Sequence, residues 1–161
     1  MNLMKFIATC PPGREGDAIL ELEWGIGAKV KRTKWRGVLV GETELEKEEA
    51  IRKLKSFETF ALQRFIPIDS LIPLERLEEE IKRLCSKIPM GKSFAVRAKV
   101  RGAKIGEKKL ETEIGGLIKR ITGNPVNLGN PDIIVTIEVL GNKAGIGILK
   151  PQEILKFEVK P

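Results

Sequence analysis

The chain has 161 residues, 42% hydrophobic and 32% charged, with a formal net charge of +7, two cysteines and no histidine. That length suits one ordinary core or two small ones side by side, and no apolar run approaches the roughly 18 residues that a membrane-spanning helix needs. Without histidine there is no Ser-His or Cys-His nucleophile pair and no mixed Cys/His zinc site, and Cys10 and Cys85 are too few for a cysteine cluster, so neither a metal nor a cofactor is expected.

The N-terminal MNLMKFIATC lacks the long apolar segment of an export signal, so a cytoplasmic protein is expected. Abundant lysine and glutamate without histidine or tyrosine matches the surfaces of thermophile proteins, where ion-pair networks gain value with temperature. KFIATC reads as a first strand, closed by Pro11, Pro12 and Gly13. Ala18, Ile19 and Leu22 then fall at helical spacing, with Gly25 and Gly27 where the helix should stop. AKVKRTKWRGVLVGE predicts two strands meeting around Trp35 to Gly37. A second helix follows on the stripe Leu45, Ile51, Leu54 and Phe57, and FALQRFIPID closes the unit as a strand. The order β-α-β-β-α-β is the ferredoxin-like arrangement, assigned to a domain over residues 1–69.

Pro67 and Pro73 mark the boundary to a second α/β domain over residues 70–161, giving an α+β chain. Leu74, Leu77, Ile81, Leu84 and Ile88 predict a helix from Leu74 to Ile88, acidic early and basic late as the helix dipole favours. Next come a strand in SFAVRAKVRG, a helix in IGEKKLETEIGGLIKRITG, and a strand in DIIVTIEVL that is apolar on both faces and so central. KAGIGILK is the last strand; its glycines lack both the G-x-G-x-x-G and the Walker spacing, so nucleotide binding finds little support there.

The charge is not spread evenly. Residues 1–69 carry 12 positive and 11 negative groups, whereas residues 70–161 carry 17 and 11. Lys92 to Arg120 alone holds nine positive groups against Glu107, Glu111 and Glu113. In the strand, Phe94, Val96, Ala98 and Val100 share one face, and Arg97, Lys99 and Arg101 share the other with Ala95. In the helix, Lys104, Lys108, Lys109, Lys119 and Arg120 are left to solvent. Such like charges repel unless solvent, acidic neighbours or an anion compensates. The residues leave two readings open: a solvated face partly neutralised by the three glutamates, or a face suited to a phosphate backbone.

Gly115 and Gly116 fall inside a predicted helix, at a cost of roughly 1 kcal/mol each relative to alanine. Close helix-on-sheet packing or close backbone approach to a ligand would offset it. A second basic cluster, Lys29, Lys31, Arg32, Lys34 and Arg36, surrounds Trp35. Trp35 could stack on a base, or the lysines could simply protect an edge strand. Asn130 to Asp132 reads as a turn held by local side-chain bonds, and Asp132 is not assigned catalysis.

FAVRAKVRG, a helix, then VNLGNPDIIVTIEVLGNKAGIGI resembles the THUMP domain, over about residues 70–158. The resemblance implies an RNA-binding module of tRNA 4-thiouridine synthetases and of tRNA and rRNA methyltransferases, usually preceded by a ferredoxin-like domain. In that family the two domains grip tRNA while a separate domain performs the chemistry. The chain departs from most members in ending after this region, without a methyltransferase motif, a pyrophosphatase-type loop or deaminase zinc ligands. It is most similar to the short accessory proteins of tRNA N4-acetylcytidine formation. The resemblance thus implies a tRNA-binding adaptor without catalysis of its own, its tRNA handed to a partner such as an RNA cytidine acetyltransferase. The RNA-binding set is Arg97, Lys99, Arg101, Lys104, Lys108, Lys109, Lys119 and Arg120, with Lys31, Lys34, Trp35 and Arg36 from the first domain. The alternatives are the RNA-binding subunit of a split tRNA thiolation or methylation enzyme, a small enzyme using Asp132 or Glu138, and a protein-interaction module whose basic face meets an acidic partner.

Overall fold

A computed structural model describes residues 3–161. Contacts divide the chain into two compact units, Met1–Pro67 with Glu153–Pro161, and Ile68–Gln152.

In the first unit, β1 (Met4–Thr9), α1 (Glu15–Ile26), β2 (Lys29–Arg32), β3 (Val38–Thr43), α2 (Lys47–Ser56) and β4 (Arg64–Ile68) follow the expected order. The sheet order is β2-β3-β1-β4, extended by the short β9 (Leu155–Lys156). β3 pairs antiparallel with both β1 and β2, so it splits the β-α-β unit that α1 connects. Ala18, Leu22 and Ile26 recur every four residues and bury one stripe of α1, which ends at Gly27 in the left-handed region. Ala50 and Leu54 do the same for α2. Between helices and sheet, the Phe6 and Phe65 rings lie 4.8 Å apart at the centre of the core. Each such buried side chain contributes about 1.5–3 kcal/mol.

Glu21 is a buried carboxylate on α1, and the chain before β4 wraps onto it. The backbone N–H groups of Phe60, Ala61 and Leu62 donate to it at 3.0, 3.1 and 2.9 Å. A buried charge is tolerable only with such compensation.

In the second unit, β5 (Ser70–Pro73), α3 (Leu77–Leu84), β6 (Phe94–Arg101), α4 (Glu107–Thr122), β7 (Ile133–Leu140) and β8 (Lys143–Leu149) build a sheet of order β5-β8-β7-β6. β6 and β7 are parallel, as strands joined through a helix must be to lie side by side, and the other pairs are antiparallel. β7 is interior and all eight of its residues are buried, as its two-faced apolarity predicts. Ile81 and Leu84 of α3, Ile114 and Ile118 of α4, and Phe94, Val135 and Ile146 of the sheet share the core.

Three features depart from the sequence reading. Ser70–Pro73 is a strand paired with β8, although Pro73 had argued for a break; the proline stands at the strand's last position, where a missing N–H costs least. The helix expected from Leu74 to Ile88 is α-helical only over Leu77–Leu84, with 3-10 turns at Leu74–Arg76 and Cys85–Lys87. The C-terminal segment, assigned above to the second domain, returns to the first: β9 pairs with β4, and Phe157 N–H donates to the Gln63 carbonyl at 2.8 Å. A two-residue strand carries too little alternation to be read in advance. Among the described residues, no helix is long and apolar enough to cross a membrane.

Candidate nucleic-acid interface

β6 lies at the edge of its sheet, so its outward backbone groups must find partners off the sheet. At its start, Phe94 N–H donates to the Pro125 carbonyl at 3.0 Å and its own carbonyl accepts from Asn127 N–H at 2.9 Å. Further along, the partners come from α4. Ala98 N–H donates to Glu111 at 2.8 Å, and Val100 N–H to Glu107 at 2.9 Å. The match is geometric: one helical turn rises about 5.4 Å, and two strand residues rise about 6.6 Å. Glutamates four apart on the antiparallel helix therefore meet N–H groups two apart on the strand.

This arrangement decides what the glutamates do for the basic face. Glu107 and Glu111 each turn one oxygen to a backbone N–H group, while Glu113 sits 4.0 Å from Lys109 in an exposed pair that contributes little. Arg97 and Lys99 are exposed on the strand face away from α4, with Arg97 reaching the Leu128 carbonyl at 3.5 Å. Lys108 and Lys119 are eleven residues apart, about three turns, and so share one flank of α4; Lys109 and Arg120 repeat that spacing on the next. All four are exposed. A band of cations thus lies on the open face of β6 and along the outer flank of α4, with Glu107 and Glu111 at the edge between them.

Arg101 does not belong to that band. Its guanidinium is 3.5 Å from the carboxylate of Glu138, itself only 2% exposed, on β7. Charge alternation put Arg101 with Arg97 and Lys99, but a buried carboxylate needs a cation, and although Lys99 stands opposite Glu138 in the strand register, it is the Arg101 guanidinium that reaches it. Lys104 also diverges. It is exposed and lines, with Lys109, a groove of about 440 Å³ whose other walls include Glu75, Glu78 and Glu113, so it stands among carboxylates.

Two loops missed by sequence reasoning complete the band near the start of β6. Asn124 is buried, and its amide donates to the carbonyls of Pro89 and Lys92 at 2.9 and 3.0 Å. This clamps the turn bearing Lys92 and the fully exposed Met90 against the end of α4, next to Lys119 and Arg120. Leu128 projects from the second loop. No periodic signal reveals a clamp across 35 residues of sequence. Asp132 is likewise structural, but its ties are not local. It accepts from the N–H and hydroxyl of Ser93 at 3.0 and 3.1 Å, and those bonds hold its carboxyl below the usual aspartate range.

In the first unit, Lys31 is exposed on β2, an edge strand, as edge protection would place it. Lys34 and Arg36 are exposed, and Trp35 is half-buried with the Lys34 ammonium 5.1 Å from its ring centre. The turn requires glycine at position 37, which takes φ +74° and where a Cβ would lie 2.4 Å from the Cys10 carbonyl. Cys10 is buried, which pushes its thiol up to about 11 and leaves it inert. Gly115 and Gly116 are not forced by packing: an added Cβ would meet Val96 at 3.9 Å and the mobile end of Arg120 at 3.3 Å.

These features define an α+β protein whose second unit has a parallel β-α-β edge sheathed in basic side chains. Residues 74–149, within the second unit, match the family model of the THUMP domain. An uncharacterised protein of Methanocaldococcus jannaschii is 26% identical over 158 residues, 96% of this chain and 43% of the relative. TrmN from Thermus thermophilus superposes with a TM-score of 0.66 at 24% identity, over 92% of this chain and 47% of that one. A 4-thiouridine synthetase solved with RNA and ATP superposes at 0.64 with 20% identity, over 96% and 42%. The two-unit fold is therefore shared with these two solved structures, while the chain spans less than half the length of each of the three proteins.

Proposed function

We propose that this protein binds tRNA through the cation band of its THUMP domain and presents it to a modification enzyme, with an RNA cytidine acetyltransferase as the partner in view. The observation that carries this reading is the disposition of Glu107 and Glu111. Each of these acids is tied by an oxygen to the β6 backbone instead of to a cation, and Arg97, Lys99, Lys108 and Lys119 stand exposed. Such a surface meets phosphates by charge and releases counterions, with no need to read bases. Phosphate geometry and folded shape would then select tRNA. Chemistry would lie in the partner, since the chain offers no histidine and Asp132 is committed to Ser93.

The direct test is filter binding of folded tRNA to Arg97→Glu/Lys99→Glu. Both side chains are exposed, so the fold should persist while affinity falls at least about tenfold. Unchanged affinity would move the site off β6.

A second reading has one observation in its favour: the thiouridine synthetase and TrmN share this two-unit fold within chains about twice as long. On it, the protein is the RNA-binding part of a tRNA thiolation or methylation enzyme. Stimulation of sulfur or methyl transfer to tRNA when the protein is added to a separate thiolation or methylation enzyme with its donor would favour this reading. Stimulation of acetyl transfer to tRNA when it is added to an RNA cytidine acetyltransferase with its acetyl donor would favour the adaptor.

A further inference from the structure

The first unit carries an apolar surface of opposite electrical character. Leu20 and Trp24, four residues apart, point outward from α1 on the side opposite its buried stripe, and they are 42% and 72% exposed. Phe60, 42% exposed, stands beside them, and with Phe57 they line an open groove of about 380 Å³. Exposed aromatic residues clustered this way cost hydration free energy and mark binding surfaces.

The charge around the groove narrows what can fill it. α1 carries Glu15, Asp17, Glu21 and Glu23 and no lysine or arginine, in a chain of net charge +7. Asp17 and Glu58 are well exposed on the rim, and Glu23 is exposed next to Trp24. The two cations at hand are occupied. Arg14 donates to the Lys160 carbonyl at 2.6 Å and lies 3.8 Å from Asp17; Lys160 is 3.5 Å from Glu58 and 5.3 Å from the centre of the Phe60 ring. A polynucleotide laid across Trp24 would bring its phosphates against carboxylates, so this aromatic is unsuited to base stacking. A protein segment with a large apolar side chain flanked by lysines or arginines satisfies both the groove and its rim.

We infer that this groove on α1 docks a basic, apolar-anchored segment of the protein partner. Its assignment to the catalytic partner rests on the adaptor reading. The protein would then separate its duties by charge, with RNA on the basic edge of the second unit and protein on the acidic, aromatic face of the first.

The chain has two tryptophans, so Trp35→Phe leaves Trp24 as the sole indole reporter. The probe is a synthetic amphipathic peptide with leucines at helical spacing and lysines elsewhere, beside the same peptide with glutamates for lysines. The lysine peptide should give a saturable blue shift of Trp24 emission and the glutamate peptide none. Leu20→Ser and, separately, Glu58→Lys should each weaken the lysine peptide about tenfold while leaving the circular-dichroism melt and tRNA affinity unchanged. Several results would overturn the inference: equal response to both peptides, no response to the lysine peptide, quenching of Trp24 by tRNA, or a peptide-free emission shift that tracks dimerisation in sedimentation. Loss of tRNA binding with peptide binding intact would refute the RNA reading alone, and the converse would refute the docking surface alone.

Discussion

Arg97, Lys99 and Arg101 alternate along one strand, yet they face two different electrostatic problems. Arg97 and Lys99 stand over solvent, whereas Arg101 neutralises a carboxylate that is 2% exposed. Arg101→Ala should therefore destabilise the protein by about 2–4 kcal/mol, read as a lowered urea midpoint with unchanged slope, an effect that Arg97→Ala should lack. The glycines of α4 invite the opposite change. A methyl group at Gly115 would meet Val96 at an ordinary 3.9 Å, so Gly115→Ala should raise stability by about 0.5–1 kcal/mol. If thermal stability rises and tRNA affinity falls, the glycine serves backbone approach to RNA; if both hold or rise, it serves nothing at the interface. Exposure of Arg97 and Lys99 was legible from alternation alone. The commitment of Arg101 was not, because it depends on Glu138, 37 residues later in a neighbouring strand.

At the scale of elements, α4 is both the crossover between parallel strands and the cover of an exposed strand edge. Glu111→Ala should leave the Ala98 N–H without its partner and cost about 1–2 kcal/mol, seen as faster amide exchange along β6. The helix before it supplies a pH signature. On α3, Glu80 is held at about 2 against an ordinary 4.5, chiefly by its hydrogen bonds from Arg83 and then by that from Ser70. A carboxyl depressed by folding adds stability that is complete above its unfolded value and drains away as pH falls from about 4.5 toward 2. Glu15 and Asp132 are displaced in the same direction by backbone hydrogen bonds. Urea midpoints should fall steadily between pH 5 and 2, and less so in Glu80→Gln. Periodicity found the helices and the central strand because each buries a regular stripe. It missed β5 and β9, of four and two residues, which owe their pairing to neighbours distant in sequence.

For the whole molecule, charge distribution is the organising fact. The surplus gathered in Lys92 to Arg120 becomes a band round one sheet edge, and the first unit keeps an acidic, aromatic helix. Composition located the surplus, but it could not tell that Glu107 and Glu111 would bind backbone N–H groups of β6 or that Trp24, and not Trp35, would stand most open. The measurement that bears most directly on the central claim is folded-tRNA affinity across a salt series. If Arg97, Lys99, Lys108 and Lys119 each meet a phosphate, the logarithm of affinity should fall against that of salt with a slope of about −2.8 to −3.6, at about −0.7 to −0.9 per contact. The Arg97→Glu/Lys99→Glu variant should lose about half of that slope. A slope near zero, or no binding at low salt, would contradict the account.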